Sequence, residues 1–333
     1  MEIYFYCEFN GCKNSGIPVF FGESHEFLDI IKENSGAAAA AGITPGDFSE
    51  TTICLGYFDG VHLAHRALFE RAKKHGRWGV LLFDRNTKDV PLLTTQYEKI
   101  KILSELGADY AIIAEFSEKF MQRTPEEFAD FLKDTLKVSR VVAGYDYRFG
   151  CKASGDSDML SRLCQDRGIL VEIAEPECDG GEPIKSTKIR KYIESGNIPS
   201  ANHLLGYAYT VSGVVEKGFG NGRKMGFPTA NVAYNFEKLL PPDGVYRGSV
   251  LGKSAVINIG KNPTFDAKER TLEVHLVDFD GDLYDEQIDV QLYEKLRDDI
   301  KFETVDELIK QIEQDIEKVR KNYGKKNFNG NDL

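Results

Sequence analysis

Thr229 and Asn231 set a hydroxyl and an amide oxygen two positions apart in the run Gly226-Phe227-Pro228-Thr229-Ala230-Asn231. On an extended backbone that spacing turns both side chains to one face. Oxygen donors so paired suit a hard divalent cation such as Mg²⁺. Just upstream, Gly218, Gly220, Gly222 and Gly226 fall within nine residues, with Arg223 and Lys224 among them. Backbone without Cβ atoms bends tightly and approaches a polyanion closely. Together these residues predict a cradle for nucleotide phosphates beside a cation site. A plain turn or hairpin is the competing reading of any glycine-rich run. The absence of a Gly-Lys-Ser/Thr ending excludes a P-loop.

A second constellation lies in Gly56-Tyr57-Phe58-Asp59-Gly60-Val61-His62-Leu63-Ala64-His65, between an apolar strand-like run and a helical pattern. His62 and His65, three apart, share a face of the first helical turn. A helix N-terminus attracts anions, and two imidazoles there can stabilise charge developing on phosphorus. Simple capping of the helix is the alternative. A zinc pair is disfavoured, because metalloprotease ligands stand four apart around a Glu. A third segment, Ile184-Lys185-Ser186-Thr187-Lys188-Ile189-Arg190, opens a helix after Gly180-Gly181. Ser186 or Thr187 reads either as an ordinary N-cap or, with Arg190, as a phosphate contact.

Positioning these groups requires two different scaffolds. Residues 1–200 alternate apolar runs with helical patterns: strands at Thr51–Phe58, Gly79–Phe83, Tyr110–Ile113, Arg140–Ala143 and Leu170–Ile173, and helices at His62–His75, Tyr97–Glu105, Pro125–Thr135 and Asp158–Arg167. That alternation predicts an α/β domain with a parallel sheet. Its ligands belong at the C-terminal ends of the strands. Residues 1–50 suggest no regular element, and 35–47 read as a flexible Ala/Gly connection. From 206 to 325 short period-2 runs appear without helices between them, which predicts a small antiparallel β-barrel. A terminal helix should lay Val305, Leu308, Ile309, Ile312, Ile316 and Val319 on one face to close an end of the barrel. The pattern changes near 197–207.

Composition excludes other classes. With 42 basic against 53 acidic side chains, the formal charge of −11 argues against nonspecific nucleic-acid binding. No apolar run is long enough to span a membrane, and no signal peptide is evident. Six cysteines without a C-x-x-C pair read as reduced thiols in a cytoplasmic protein. Composition leaves room for a homo-oligomer.

The motifs, in order, resemble the prokaryotic bifunctional riboflavin kinase/FAD synthetase family. The segments carrying the resemblance are Gly56–His65, Gly144-Tyr145-Asp146-Tyr147-Arg148-Phe149-Gly150, Ile184–Arg190 and Gly222–Asn231. Asp243–Tyr246, Asn258–Gly260 with Pro263–Phe265, Leu272-Glu273-Val274-His275, and Leu296-Arg297 with Phe302 add to it. The resemblance implies a Rossmann-like nucleotidyltransferase domain followed by a β-barrel kinase. In the kinase, riboflavin's 5′-hydroxyl attacks the γ-phosphate of ATP to give FMN and ADP. Thr229 and Asn231 bind Mg²⁺ and Glu273 is the general base. Gly218, Gly220, Gly222, Arg223, Gly226, Pro228 and Arg297 belong to the nucleotide site. In the first domain, FMN attacks the α-phosphate of a second ATP, giving FAD and pyrophosphate. There His62 and His65 stabilise the transferring phosphate, with Gly56, Phe58, Asp59, Asp146, Ser186, Thr187 and Arg190 around the nucleotide.

Departures from the family pattern fall in the first half. Ala64 replaces a glycine, Lys185 replaces a serine, and Asp84–Asp89 follows Phe83 where relatives carry prolines. The alternatives are therefore a riboflavin kinase with a weak adenylyltransferase, or a flavin-nucleotide sensor.

Overall fold

The structure, a computed structural model, describes residues 1–6, 19–23, 48–86, 89–218, 222, 225–261 and 270–321. The connection expected at 35–47 lies outside the described residues. Two compact units divide the chain: Met1–Val90 with Gln96–Ile184, and Pro91–Thr95 with Lys185–Leu333. The sequence pattern changes near 197–207, whereas the units part at Ile184 and Lys185.

The first unit is built on a seven-stranded sheet. Its strands are β1 (Glu2–Tyr6), β2 (Val19–Glu23), β3 (Thr52–Leu55), β4 (Trp78–Phe83), β5 (Tyr110–Ala114), β6 (Arg140–Gly144) and β7 (Leu170–Ala174). They lie in the order β2-β1-β5-β4-β3-β6-β7. All neighbours are parallel except β2, an antiparallel edge; a separate antiparallel pair, β8 (Cys178–Asp179) and β9 (Glu182–Pro183), follows β7 in the chain. The helices are α1 (Leu63–Lys73), α2 (Gln96–Glu105), α3 (Glu118–Met121), α4 (Pro125–Asp130) and α5 (Ser157–Asp166). Both faces of the central strands are covered, which is why these strands read as continuous apolar runs. Cys54, Val80, Leu82, Ala111 and Val142 pack on Leu68, Phe69, Ile100 and Leu103 on one face. Ile53, Leu81, Ile112 and Val141 pack on Phe128, Phe131 and Leu160 on the other.

Three differences from expectation have physical causes. Glu2–Tyr6, expected to be irregular, pairs in parallel with Tyr110–Ala114; that pairing is non-local and leaves no short-range signal. The run Thr51–Phe58 yields a strand only as far as Leu55, because Phe58 turns the chain with φ 51°. The helix expected over Pro125–Thr135 opens with a capping box between Thr124 and Glu127, then widens into a π-turn at Phe131–Thr135.

The second unit opens with α6 (Ser186–Glu194) and α7 (Ile198–Leu205), then closes a barrel. The barrel strands are β10 (Tyr209–Glu216), β11 (Ala230–Tyr234), β12 (Gly244–Val250), β13 (Lys253–Lys261), β14 (Arg270–Leu276) and β15 (Gln287–Arg297), in the order β10-β11-β14-β13-β12-β15. All neighbours are antiparallel. Alternate residues such as Ile257, Ile259, Leu272 and Val274 are fully buried and fill the interior. The terminal helix α8 (Val305–Lys321) does not close an end of the barrel. Its Ile312, Ile316 and Val319 pack on Val256, Val277, Phe227 and Leu296. Val256 alternates with the interior residues, so the helix lies against the barrel wall.

Candidate active sites

On the wall of the barrel, strand register assembles one cluster. Asn231 of β11 and Asn258 of β13 both pair with Glu273 of β14. Laterally paired residues share a face of the sheet. The three side chains therefore form one row on the face opposite Leu272 and Val274. Glu273 is half-buried, and burial pushes its carboxyl up from the usual range, opposed by a hydrogen bond from the Thr229 hydroxyl. Thr229 and Asn231 thus do share a face, and that face carries the raised carboxyl.

Two of the predicted glycines are required by contact. A methyl at Gly218 would stand 2.6 Å from Asn231 Cγ, and one at Gly222 would stand 3.1 Å from Thr229 Oγ1. Without a Cβ, the backbone at Gly218 and Gly222 lies directly on the two predicted cation ligands. Gly222 also accepts from Met225 and Phe227 N–H groups at 3.1 and 2.9 Å, closing a tight turn. Gly226 completes that turn with φ 89°. The Pro228 carbonyl lies 2.8 Å from His275 Nδ1. Gly220 and Arg223 lie outside the described residues.

Arg297 ends β15, across from Val245, which pairs in turn with Asn258. Its Nε donates at 2.8 Å to Asp315 of α8, which is 1% exposed. Asp315 also accepts from Gln311 at 3.0 Å. The family resemblance implies a place for Arg297 at the nucleotide site; its partner Asp315 leaves no sequence signal, since an acid on a charged helix reads as solvated.

The donor set around Glu273 consists of a hydroxyl, two amides and the carboxylate itself. Among the described residues no group of three or more His, Cys, Asp or Glu is arranged to hold a metal. Few, mostly neutral oxygen ligands fit a hard cation that keeps water and takes phosphate oxygens from a nucleotide. The chemistry of the residues therefore fits a hard divalent cation carried with a nucleotide.

In the first unit the chain runs β3-β4-β5 to one side and β6-β7 to the other. The switch point lies between β3 and β6, where ligands bind in open parallel sheets. Gly56–His62 follows β3 and Asp146 follows β6, so both predicted segments sit at that point. The ring of Phe58 folds back under Gly56, where a methyl would meet its Cε1 at 2.7 Å. Phe58 and Val61 both have positive φ, 51° and 37°. Such backbone strain is held only where surroundings over-determine it; Phe58, Asp59 and Val61 are all at most 1% exposed.

His62 is the N-cap of α1 but makes no side-chain capping bond. Its ring stacks on that of His65, centroids 3.6 Å apart and planes at 17°. Phe58 meets His65 edge-on at 5.2 Å. The two imidazoles are thus held as one unit at the start of a helix. Ala64 is half-buried in the same first turn. Asp146 is exposed, 3.5 Å from where a methyl on Gly144 would stand.

Ser186, Thr187 and Arg190 belong to the second unit. Lys185, not Ser186 or Thr187, is the N-cap of α6, and no side-chain capping bond forms. The two hydroxyls therefore occupy the first turn. Arg190 donates through Nε to the Pro91 carbonyl at 3.0 Å.

Comparison with known proteins bears on both units. The family described as FAD synthetase matches residues 45–188, and the family described as riboflavin kinase matches residues 205–323. A bifunctional riboflavin kinase/FMN adenylyltransferase of Listeria monocytogenes is 36% identical, covering 82% of this chain and 92% of that relative. The proteins of the same description from Escherichia coli and Bacillus subtilis are 36% and 32% identical over 82% and 80% of this chain. They are covered to 92% and 90% of their own lengths. A solved structure named a macrolide-efflux protein from Streptococcus pneumoniae is similar with a TM-score of 0.74 and 31% identity. The match covers 83% of this chain and 95% of that one. No helix among the described residues here is long and apolar enough to cross a membrane.

Proposed function

Because the chain belongs to the bifunctional riboflavin kinase/FMN adenylyltransferase family, we propose that its barrel unit phosphorylates riboflavin at the Glu273–Thr229–Asn231 cluster and that its sheet unit adenylylates FMN beyond the ends of β3 and β6. The chain is accordingly a two-activity transferase that makes FMN and then FAD. One observation carries the kinase assignment: a carboxyl raised by burial stands in register with the Asn231 amide and beside the Thr229 hydroxyl, with Gly218 and Gly222 packed on those two side chains.

In the kinase step, the Glu273 carboxylate accepts the proton of the riboflavin 5′-hydroxyl as its oxygen attacks the γ-phosphorus. The bond from that phosphorus to the β-phosphate oxygen breaks, and ADP leaves. Thr229 and Asn231 would hold Mg²⁺, which neutralises phosphate charge and aligns the γ-phosphate when bound. Gly218 and Gly222 let the loop backbone approach the phosphates. Arg297 acts through Asp315, anchoring α8 beside this wall.

In the adenylyl step, an FMN phosphate oxygen attacks the α-phosphorus of ATP and pyrophosphate departs. His62 and His65, with the N-terminal N–H groups of α1, stabilise the negative charge on the α-phosphate. No proton must be taken from FMN phosphate, so positioning and charge suffice. The roles of Asp146, Ser186, Thr187 and Arg190 as nucleotide contacts rest on the family resemblance. Four described cysteines are unbridged, in keeping with a reducing cytoplasm.

Product chromatography tests the division of labour. Glu273→Gln should abolish FMN formation from riboflavin while leaving FAD formation from added FMN intact. Paired His62→Asn and His65→Asn changes should do the reverse. Unchanged riboflavin phosphorylation in Glu273→Gln would remove Glu273 as the base.

A further inference from the structure

We infer that His275 is a positioning residue of the kinase site, holding Thr229 against Glu273 through the Pro228 carbonyl. The β11–β14 ladder ends at the pair Ala230–Val274. One further step of the register would set Thr229 opposite His275, and no ladder pair forms there. Pro228, next along, has no N–H to offer. The His275 side chain supplies what the ladder cannot: Nδ1 donates to the Pro228 carbonyl at 2.8 Å. A carbonyl only accepts, so Nδ1 carries the proton, in the Nδ1–H tautomer or the imidazolium alike. Phe227 meets the imidazole edge-on at 6.1 Å, and its own N–H is fixed to Gly222 O at 2.9 Å. The peptide entering Thr229 is therefore pinned on both sides. Its hydroxyl, packed beside Gly222, is left facing the Glu273 carboxyl. His275 lies two residues from Glu273, hence on the same strand face, and it supports the site without touching the reacting atoms.

This inference rests on the kinase reading above. The test uses the full chain with His275→Asn, His275→Gln and His275→Leu. Asn sets an amide N–H near the position of Nδ1, whereas Gln sets it near Nε2 and Leu has none. We expect His275→Asn to keep riboflavin phosphorylation within about threefold of wild type. His275→Gln and His275→Leu should lose on the order of 10- to 100-fold in kcat, the scale for displacing a group by about an ångström. Their KM for riboflavin should stay within about twofold. In the same two variants the rise in melting temperature produced by Mg²⁺ with ADP should fall by about half or more. Formation of FAD from added FMN serves as the folding control. Equal loss in all three variants, equal retention in all three, or a change in KM alone would overturn the inference. A wild-type chain that fails to phosphorylate riboflavin would overturn the kinase reading instead, and the Mg²⁺·ADP melting shift would still report on His275.

Discussion

Gly218→Ala adds one methyl group against the side chain of Asn231, and its effect can be worked from the geometry. The new Cβ would overlap Asn231 Nδ2, its nearest neighbour, and stand 2.6 Å from Cγ. Non-bonded carbons settle at about 3.5–4.0 Å, so the amide must retreat by at least about 1 Å. Gly218 is not in the left-handed region, so alanine costs no backbone strain and the effect is confined to the contact. A displacement of about 1 Å in a positioned group costs on the order of 100-fold in rate, or about 2.7 kcal/mol in activation free energy. Because Asn231 is the proposed cation ligand, the loss should appear in kcat for FMN formation and as a raised Mg²⁺ requirement. The riboflavin KM should change little. Steady-state assays of riboflavin phosphorylation across a Mg²⁺ series measure both, with FAD formation from FMN as the internal control. A Gly218→Ala enzyme with wild-type kcat and Mg²⁺ dependence would refute the claim that the glycine loop rests on a working Asn231.

Burial raises the Glu273 carboxyl, and a base works deprotonated, so kcat/KM for the kinase should climb along an acid limb lying above the ordinary glutamate value of about 4.3. The native state then holds the proton more tightly than the unfolded chain does. That contribution to stability is full below the unfolded value and is lost as pH rises through the native one. Glu273→Gln should therefore be at least as stable as wild type in neutral-pH thermal melts; a lower melting point would contradict the cause assigned to the shift. Arg297→Met strands the buried Asp315, whose remaining contacts are Gln311 and a more distant Lys318 at 3.8 Å. It should cost about 3 kcal/mol in denaturant unfolding, with most of that recovered in Arg297→Met/Asp315→Leu, and a loss under about 1 kcal/mol would show that the pair does not anchor α8.

What could be read from the sequence was what repeats locally. Gly79–Phe83, Tyr110–Ile113 and Arg140–Ala143 lie in strands buried on both faces, and such strands announce themselves as unbroken apolar runs. The barrel strands announce themselves by alternation, and Glu273 falls between Leu272 and Val274 accordingly. Its chemical character was not legible in the same way. A carboxylate on the outer face of a strand is ordinarily solvated; this one is raised by burial, against the hydrogen bond from Thr229, with Asn231 and Asn258 in register beside it from two other strands, and only the family resemblance marked it in advance. Asp315 illustrates the same limit. On its helix it is one acid among many, and it is buried because Arg297, eighteen residues earlier, reaches it at 2.8 Å.

The departures from the family pattern acquire a physical meaning in the first unit. Relatives brace the turn after the second strand of this motif with prolines, which limit the freedom of the chain before it folds. This chain uses side-chain hydrogen bonds in the same stretch. Asp84 accepts from the Phe116 N–H at 2.9 Å. Asn86 accepts from the Tyr57 hydroxyl at 2.5 Å and donates to the Val90 carbonyl at 3.0 Å. Tyr57 is itself held by Lys99, whose ammonium donates to its carbonyl at 3.2 Å and sits 5.2 Å from its ring centre. Tyr57 lies between Gly56 and Phe58, at the head of the segment that presents His62 and His65. The near end of the proline-free turn is therefore tied to that segment, by enthalpy where relatives use conformational restriction. That substitution of means weakens the case for an idle adenylyltransferase and leaves Ala64, in the first turn of α1, as the departure standing nearest the two imidazoles.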